Sequence, residues 1–172
     1  MWKNKPMVYL SGGISGKTYE DGNIWREKAT RQFLMYDFVV ANPLRDRLYK
    51  GECDNTTKPY TLNEIFSRDI MDLKYADVLF AELTCETINY FGTTSEIVIA
   101  NREYDTPVVV WAGTEERKAK LEYSWIMKWA MAIIADFDEA IDYTVNLFNY
   151  DVQDFSYSWN WVPIGSNKGA YE

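Results

Sequence analysis

The sequence predicts an α/β fold: a Rossmann-like or flavodoxin-like parallel sheet of about five strands with helices on both faces. Short segments rich in Val and Ile alternate along the chain with longer segments of helical periodicity. Strands that are apolar on both faces are typical of a parallel sheet covered by helices on each side. The chain has 172 residues, 47% of them hydrophobic, which suits one domain with its own buried core.

The first half of the chain is predicted to contain three strands and two helices. In chain order these are strand 7–10, a helix from about 21 to 35, strand 38–41, a helix from 61 to about 75, and strand 78–81. Thr61 and Glu64 have the spacing of a capping box, which indicates where the second helix begins. The connection 44–60 is polar and irregular, and a loop of this length in a compact domain is typically functional or mobile.

The second half continues the alternation. In chain order its elements are helix 92–102, strand 108–111 after Pro107, a helix over 115–127, strand 131–134 and a last helix over 138–148, with Asp136 or Asp138 near its start. We expect residues 1–150 to form one domain. Residues 151–172 form an aromatic tail that we expect to pack on the domain or on a neighbouring subunit.

Composition narrows the chemistry that this domain can perform. The formal net charge is −8 and no basic run is present, so a polymeric nucleic acid is not an expected partner. The chain has no histidine and only two separated cysteines, which argues against a zinc site and removes Ser-His-Asp and Cys-His catalysis. We expect neither a metal nor another cofactor. No apolar stretch is long enough to span a membrane, so we expect a cytoplasmic protein.

The loop 11–17 follows the first strand and contains glycines and serines. Glycines allow a ligand to approach the backbone closely, and exposed N–H groups can hold a phosphate. Ser11, Ser15 and Lys17 are candidate donors in this loop, although it lacks the spacing of a Walker A motif. The alternative is a flexible turn that only joins strand to helix.

Asp69 lies among apolar residues of the second predicted helix. On a wheel of 100° per residue it falls in the middle of an apolar stripe. The apolar members of this stripe are Leu62, Ile65, Phe66, Ile70 and Leu73. A carboxylate there is costly unless it is paired or faces a cavity. It is therefore either a site residue or a buried Asp that caps a loop or pairs with an Arg.

Glu96 lies in the first turn predicted for the helix that follows the third strand. Thr93 and Glu96 have the spacing of a capping box, and that is the purely structural interpretation. The functional interpretation is that Gly92 lets a sugar approach while Glu96 attacks it, since a carboxylate nucleophile suits glycosyl transfer. Tyr9 of the first strand is placed either to hydrogen-bond such a carboxylate or to pack half in the core. The turn at Asn42 either lines the pocket or is only a turn.

Taken in order, four segments resemble the nucleoside 2-deoxyribosyltransferase family, which includes the 2'-deoxynucleoside 5'-monophosphate N-hydrolases and short phage-encoded members. The segments are 8–16, 42–43, 69–78 and 92–96, and the resemblance covers roughly residues 7–111. It implies that Glu96 is the nucleophile that takes C1' of the deoxyribose, that Asp69 protonates or orients the leaving base, and that Tyr9 positions the nucleophile.

The resemblance also implies a substrate-binding set and a partner. The loop 11–16 resembles the phosphate loop of the N-hydrolase branch, which indicates a 5'-monophosphate substrate. The implied binding residues are Ser11, Gly12, Gly13, Ser15, Gly16, Asn42, Asn89, Tyr90 and Gly92. The partner is then a small nucleoside or nucleotide, and the small size and aromatic tail suggest a homo-oligomer. Whether the sugar passes to another base or to water stays open.

One position departs from the family pattern. Six residues before the glutamate, where the family usually has an Asp or Ser that contacts the sugar hydroxyls, this chain has Tyr90, with Asn89 beside it. The departure favours a second hypothesis, a non-catalytic nucleotide-binding protein on the same scaffold. A Lonely-guy-like phosphoribohydrolase shares the pattern Gly-Thr-x-x-Glu of residues 92–96, but the glycine-rich run expected before it is absent.

Overall fold

Five parallel strands form a single sheet in a computed structural model, which describes residues 5–14, 17–45 and 61–149. The strands are β1 (Met7–Gly12), β2 (Val39–Ala41), β3 (Val78–Glu82), β4 (Val108–Trp111) and β5 (Ala132–Ile134). The helices are α1 (Tyr19–Met35), α2 (Leu62–Tyr75), α3 (Phe91–Tyr104), α4 (Glu115–Glu122) and α5 (Phe137–Asn146), with a 3₁₀ helix at Trp125–Trp129. The predicted α/β fold with a five-stranded parallel sheet is confirmed.

Alternating residues of the strands contribute side chains to two separate apolar cores, one on each face of the sheet. Tyr9 and Leu79 point to one face, where they pack with buried residues of α2, α3 and α4. Val8 and Phe80 point to the other face, where α1 and α5 cover them. Both faces of the central strands are therefore buried, which explains why these strands contain near-continuous apolar runs. The same period of two places Ser11 on the face of Tyr9.

The strand order indicates where a ligand would bind to this sheet. The order is β2-β1-β3-β4-β5, so the chain moves outward from β1 to β2 and then returns to the other side of β1 for β3. The strand order thus reverses between β1 and β3, and ligands of such sheets bind beyond the carboxyl ends at this point. The last residues of the two strands, Gly12 and Glu82, are register partners.

Several helix boundaries differ from the prediction. Helix α1 begins at Tyr19, two residues before the predicted start, because the hydroxyl of Thr18 caps it by accepting from the Asp21 N–H at 3.0 Å. The predicted helix over 115–127 ends at Glu122 and is followed by the separate 3₁₀ helix. The last helix starts at Phe137, with Asp136 as its cap, and ends at Asn146 rather than 148. The capping box of Thr61 and Glu64 is confirmed.

Two further expectations are wrong. Helix α3 begins at Phe91 with Tyr90 as its N-cap and without a side-chain cap, so Thr93 and Glu96 do not form a capping box. The Glu96 carboxylate instead bonds to side chains of β1. On α2, Leu73 is fully buried as the apolar stripe predicts, but Phe66 is 63% exposed.

Some of the predictions concern segments outside the described residues. These segments are Ser15, Gly16, most of the connection 44–60 and the tail 151–172.

Candidate active site

The carboxylate of Glu96 is held by two hydroxyl groups from β1. The Tyr9 hydroxyl donates to Glu96 Oε1 at 2.9 Å, and the Ser11 hydroxyl donates to Oε2. Tyr9 and Ser11 are two residues apart on one strand, so both side chains reach the face that α3 covers. Each carboxylate oxygen thus has one hydroxyl donor, and the two bonds orient the carboxylate.

Opposing influences set the ionisation of Glu96. Burial raises the pKa of this carboxyl, the hydrogen bonds from Ser11 and Tyr9 lower it, and the nearby charge of Asp69 raises it, so that the net pKa lies above its usual value. Burial and the Glu96 charge raise the pKa of Tyr9 well above its usual value. Tyr9 therefore keeps its proton and acts as a hydrogen-bond donor to Glu96.

A cavity of about 190 Å³ opens in front of Glu96 at the carboxyl ends of the strands. Its walls come from the loop after β1, the turn after β2, helix α2 and the start of α3. The residues are Gly12, Gly13, Ile14, Pro43, Asp69, Asn89, Gly92, Thr93 and Glu96. Six residues predicted for the site thus line one cavity, namely Gly12, Gly13, Asp69, Asn89, Gly92 and Glu96.

Asp69 combines both interpretations that the sequence left open. Its carboxylate lines the cavity, and it also accepts from Nη2 of the adjacent Arg68 at 2.9 Å. Arg68 donates in addition to the carbonyl of Pro43 at 2.8 Å, which ties α2 to the turn after β2. The cavity therefore presents two carboxylates, Asp69 and Glu96, and the charge of Asp69 contributes to the raised pKa of Glu96.

Three residues that were predicted to bind substrate have their polar atoms engaged elsewhere. Ser11 is buried and donates to Glu96. The Asn42 side chain accepts from the Leu44 N–H and donates to Asn23 Oδ1, each at 2.9 Å, and so stabilises the turn after β2. Tyr90 is buried and its hydroxyl donates to Glu82 Oε1 at 2.6 Å. None of the three lines the cavity.

Two buried charged residues behind the cavity were not among the predicted site residues. Glu82 ends β3 and is 1% exposed, and Arg26 of α1 is completely buried. Arg26 Nη2 donates to the carbonyl of Gly12 at 2.8 Å, and its charge lowers the pKa of Glu96. Glu82 follows the apolar run of the third strand directly, and this position could have marked it as a residue near the site. Arg26 lies in an amphipathic helix where nothing local marks it as buried.

The described part of the chain holds no cluster of three or more Cys, His, Asp or Glu residues that is suited to a metal ion. In the same ranges, every helix is too short or too polar to cross a bilayer.

The chain matches no protein-family model and no curated protein by sequence. Its structure, however, is similar to the 2-deoxyribosyltransferase of Bacillus psychrosaccharolyticus, with a TM-score of 0.55 at 19% identity over 86% of this chain and 93% of that one. It is also similar to the 2-deoxyribosyltransferase of Leishmania mexicana, with a TM-score of 0.59 at 13% identity over 82% and 97% of the two chains. This chain has the fold of the 2-deoxyribosyltransferases.

A conserved protein from Enterococcus faecalis V583 is similar as well, with a TM-score of 0.58 at 14% identity over 83% of this chain and 98% of that one. At these identities the likeness concerns the 2-deoxyribosyltransferase fold. The reaction has to be inferred from the side chains that this chain places in the cavity.

Proposed function

We propose that the protein cleaves the N-glycosidic bond of a 2'-deoxynucleoside or its 5'-monophosphate, with Glu96 as the nucleophile. The observation that carries the proposal is the Glu96 carboxylate, which faces a cavity at the switch point of a 2-deoxyribosyltransferase fold and is oriented by Tyr9 and Ser11. A positioned carboxylate is the nucleophile of retaining glycosyl transfer.

The first step forms a glycosyl–glutamate ester. A Glu96 oxygen bonds to C1' of the sugar while the bond from C1' to the base nitrogen breaks, and its electron pair leaves with the base. The base must gain a proton as it departs, and Asp69 on the cavity wall is the group proposed to orient the base or, once it has taken up a proton from solvent, to deliver that proton.

The second step releases the sugar from Glu96. Water, or the nitrogen of a second base, attacks C1' and the ester bond breaks, which returns the Glu96 carboxylate. The attacking group loses a proton, and Asp69 is the proposed acceptor, so the protons balance over the cycle. Attack by water makes the protein a hydrolase, and attack by a base makes it a transferase.

The hydroxyls of Tyr9 and Ser11 supply the electrostatic part of this mechanism. Attack requires the ionised carboxylate, which burial disfavours and the two hydrogen bonds favour. They also fix the carboxylate plane, so that little reorientation is needed when the sugar binds. The loop after β1 is the proposed seat of the 5'-phosphate when the substrate is a nucleotide, through its backbone N–H groups.

We also propose that the enzyme acts as a homo-oligomer in the cytoplasm, where free nucleosides and nucleotides are found. Exposed apolar side chains on α2 and α3 support self-association, with Tyr75 63% and Phe91 77% exposed.

One assay tests the proposal and resolves the acceptor. The protein is incubated with the four deoxynucleosides and their 5'-monophosphates, with and without free adenine, and the released bases are separated by chromatography. Base that appears without adenine indicates a hydrolase, and base that appears only with adenine indicates a transferase.

Glu96→Gln should reduce release by about 10³-fold or more. Glu103→Gln, at an exposed position on the same helix, is the matched control and should retain full activity. Undiminished turnover by Glu96→Gln would refute the proposal.

Tyr90 bonds to Glu82 and is not among the residues that line the cavity, which favours a second candidate, a non-catalytic nucleotide-binding protein. Without an acidic group at that position, the polar side chains that line the cavity beside Gly92 are those of Asn89 and Thr93. This candidate predicts binding without consumption. A nucleotide recovered intact after overnight incubation with the wild-type protein, together with a measurable dissociation constant, would support it over the enzyme.

A further inference from the structure

Tyr90 and Glu82 form a buried hydrogen bond between the start of one helix and the end of one strand. Tyr90 is the N-cap of α3, and Glu82 is the last residue of β3. The Tyr90 hydroxyl donates to Glu82 Oε1 at 2.6 Å, and both residues are less than a tenth exposed. The Cys85 N–H donates to the Tyr90 oxygen at 3.2 Å, so the phenol also holds the loop between strand and helix.

Several other donors also hold the Glu82 carboxylate that accepts this bond. Thr84 donates to Glu82 Oε1 with its N–H at 3.0 Å and its hydroxyl at 2.5 Å, and Lys17 Nζ lies 3.7 Å from Oε2. Burial alone would raise the pKa of Glu82, but these donors, the Tyr90 hydroxyl and the Lys17 charge lower it below its usual value. Glu82 is therefore a carboxylate at neutral pH, and hydrogen bonds to an ionised acceptor are stronger than neutral ones.

The Tyr90 ring also contacts the loop after β1. A Cβ atom added at Gly13 would lie 3.0 Å from Tyr90 Cε1, so the ring packs directly against this glycine of the loop after β1. The Tyr90 side chain thus touches the loop after β1, the end of β3 and the loop after β3, while its backbone begins α3. Glu96 lies six residues further along α3, on the same rigid helix.

We propose that Tyr90 is a positioning residue, which through its bond to Glu82 fixes the first turns of α3 and so the place of Glu96 in front of the cavity. This inference rests on the proposed function, because it assigns Tyr90 a part in that reaction without contact to the substrate. It also gives a reason for a tyrosine at a position that faces the sugar in the family the sequence resembles. Misplacement of a reacting group by about 1 Å can cost about 10²-fold in rate, whereas binding tolerates it better.

The test compares two variants that each remove one hydroxyl from the same Glu82 oxygen. Tyr90→Phe removes the hydroxyl that comes from α3. Thr84→Val removes the hydroxyl of Thr84, which also interacts with the Tyr90 phenol, but it keeps the shape of the side chain and leaves the bond from Tyr90 to Glu82 in place. With the best substrate of the wild-type protein, Tyr90→Phe should lower kcat by about tenfold and change KM by less than about twofold. Thr84→Val should keep both constants within about twofold of wild type.

An effect of Tyr90→Phe on thermal stability alone, or equal effects of the two variants on kcat, would overturn the inference. Wild-type protein that releases no base from any deoxynucleoside or nucleotide would count against the proposed function instead. Amide hydrogen exchange then decides on Tyr90 without turnover. Tyr90→Phe should speed exchange at residues 94–97 by about tenfold, and Thr84→Val by less than about twofold. Equal exchange in the two variants would refute the positioning role.

Discussion

The hydroxyl of Tyr9 donates to Glu96 Oε1 at 2.9 Å, although the two residues are 87 positions apart in the chain. Tyr9 is completely buried in β1, and the raised pKa of its phenol keeps the proton in place. This bond joins β1 to the helix that carries the carboxylate. The geometry of Glu96 therefore depends on the packing of α3 against β1, and several consequences can be measured.

Tyr9→Phe should lower kcat by about tenfold or more and shift the pH dependence of activity. The Tyr9 bond lowers the pKa of Glu96, so its loss raises that pKa further. Because attack requires ionised Glu96, the acid limb of the kcat/KM profile should move to higher pH. Tyr123→Phe, at a position 92% exposed, is the control and should leave the profile unchanged. An acid limb that stays in place for Tyr9→Phe would contradict this.

Ser11→Ala separates a positioning role from a substrate-binding role. The structure shows the Ser11 hydroxyl on Glu96 Oε2, so the variant should lower kcat by about tenfold and change KM little. The acid limb should again move to higher pH, because this bond also lowers the pKa of Glu96. A selective rise in KM for monophosphates, with kcat retained, would instead place the hydroxyl on the substrate.

Glu96→Gln should change stability relative to wild type more favourably at pH 7 than at pH 4, while abolishing activity. The folded-state pKa of Glu96 is raised, so its ionisation costs stability as pH rises from the unfolded value of about 4.3 through the raised value. The variant lacks that cost, and its advantage over wild type should be larger at pH 7 than at pH 4. Urea unfolding of both proteins at the two pH values measures the difference. An advantage that is equal at both would be contrary to the raised pKa.

Gly12→Ala should destabilise the protein by about 1–3 kcal/mol. A Cβ atom there would lie 2.7 Å from Trp25 Cζ2, 3.0 Å from Glu82 Oε2 and 3.1 Å from Arg26 Nη2. These neighbours are all buried and have little room to move. Urea unfolding measures the loss of stability, and a variant as stable as wild type would show that these neighbouring side chains can move to admit the methyl group.

Gly92→Ala should have the opposite effect on stability. Apart from its chain neighbours and its own helix backbone, no atom of the described residues lies within 4 Å of the added Cβ, and alanine is favoured over glycine inside a helix by about 0.5–1 kcal/mol. Since Gly92 lines the cavity, the methyl group should nevertheless lower kcat/KM by obstructing the sugar. A rise in Tm with unchanged kcat/KM would mean that the ligand does not approach this glycine.

Local patterns predicted the frame and part of the site. Periods of two and of 3.6 residues are properties of neighbouring residues, and so the five strands and the Thr61 cap could be recognised from the sequence. The apolar stripe of the second helix marked Asp69 as a candidate, the first turn of the helix after the third strand marked Glu96, and both residues line one cavity. The match of Thr93 and Glu96 to a capping box misled because hydroxyls from a distant strand take the carboxylate. The bond of Tyr90 to Glu82 and the burial of Arg26 depend on which elements pack together, which no local pattern contains.

The alternation of side chains along β1 has a consequence for how this site can evolve. Tyr9 and Ser11 face the same core because they are two residues apart, and Glu96 bonds to both. Point substitutions can alter one hydroxyl and keep the other. Insertion or deletion of a single residue within Met7–Gly12 would turn one or both hydroxyls to the opposite core, among the aromatic rings of α1 and α5. Divergent relatives with this mechanism should therefore vary in residue type along β1 but conserve its length.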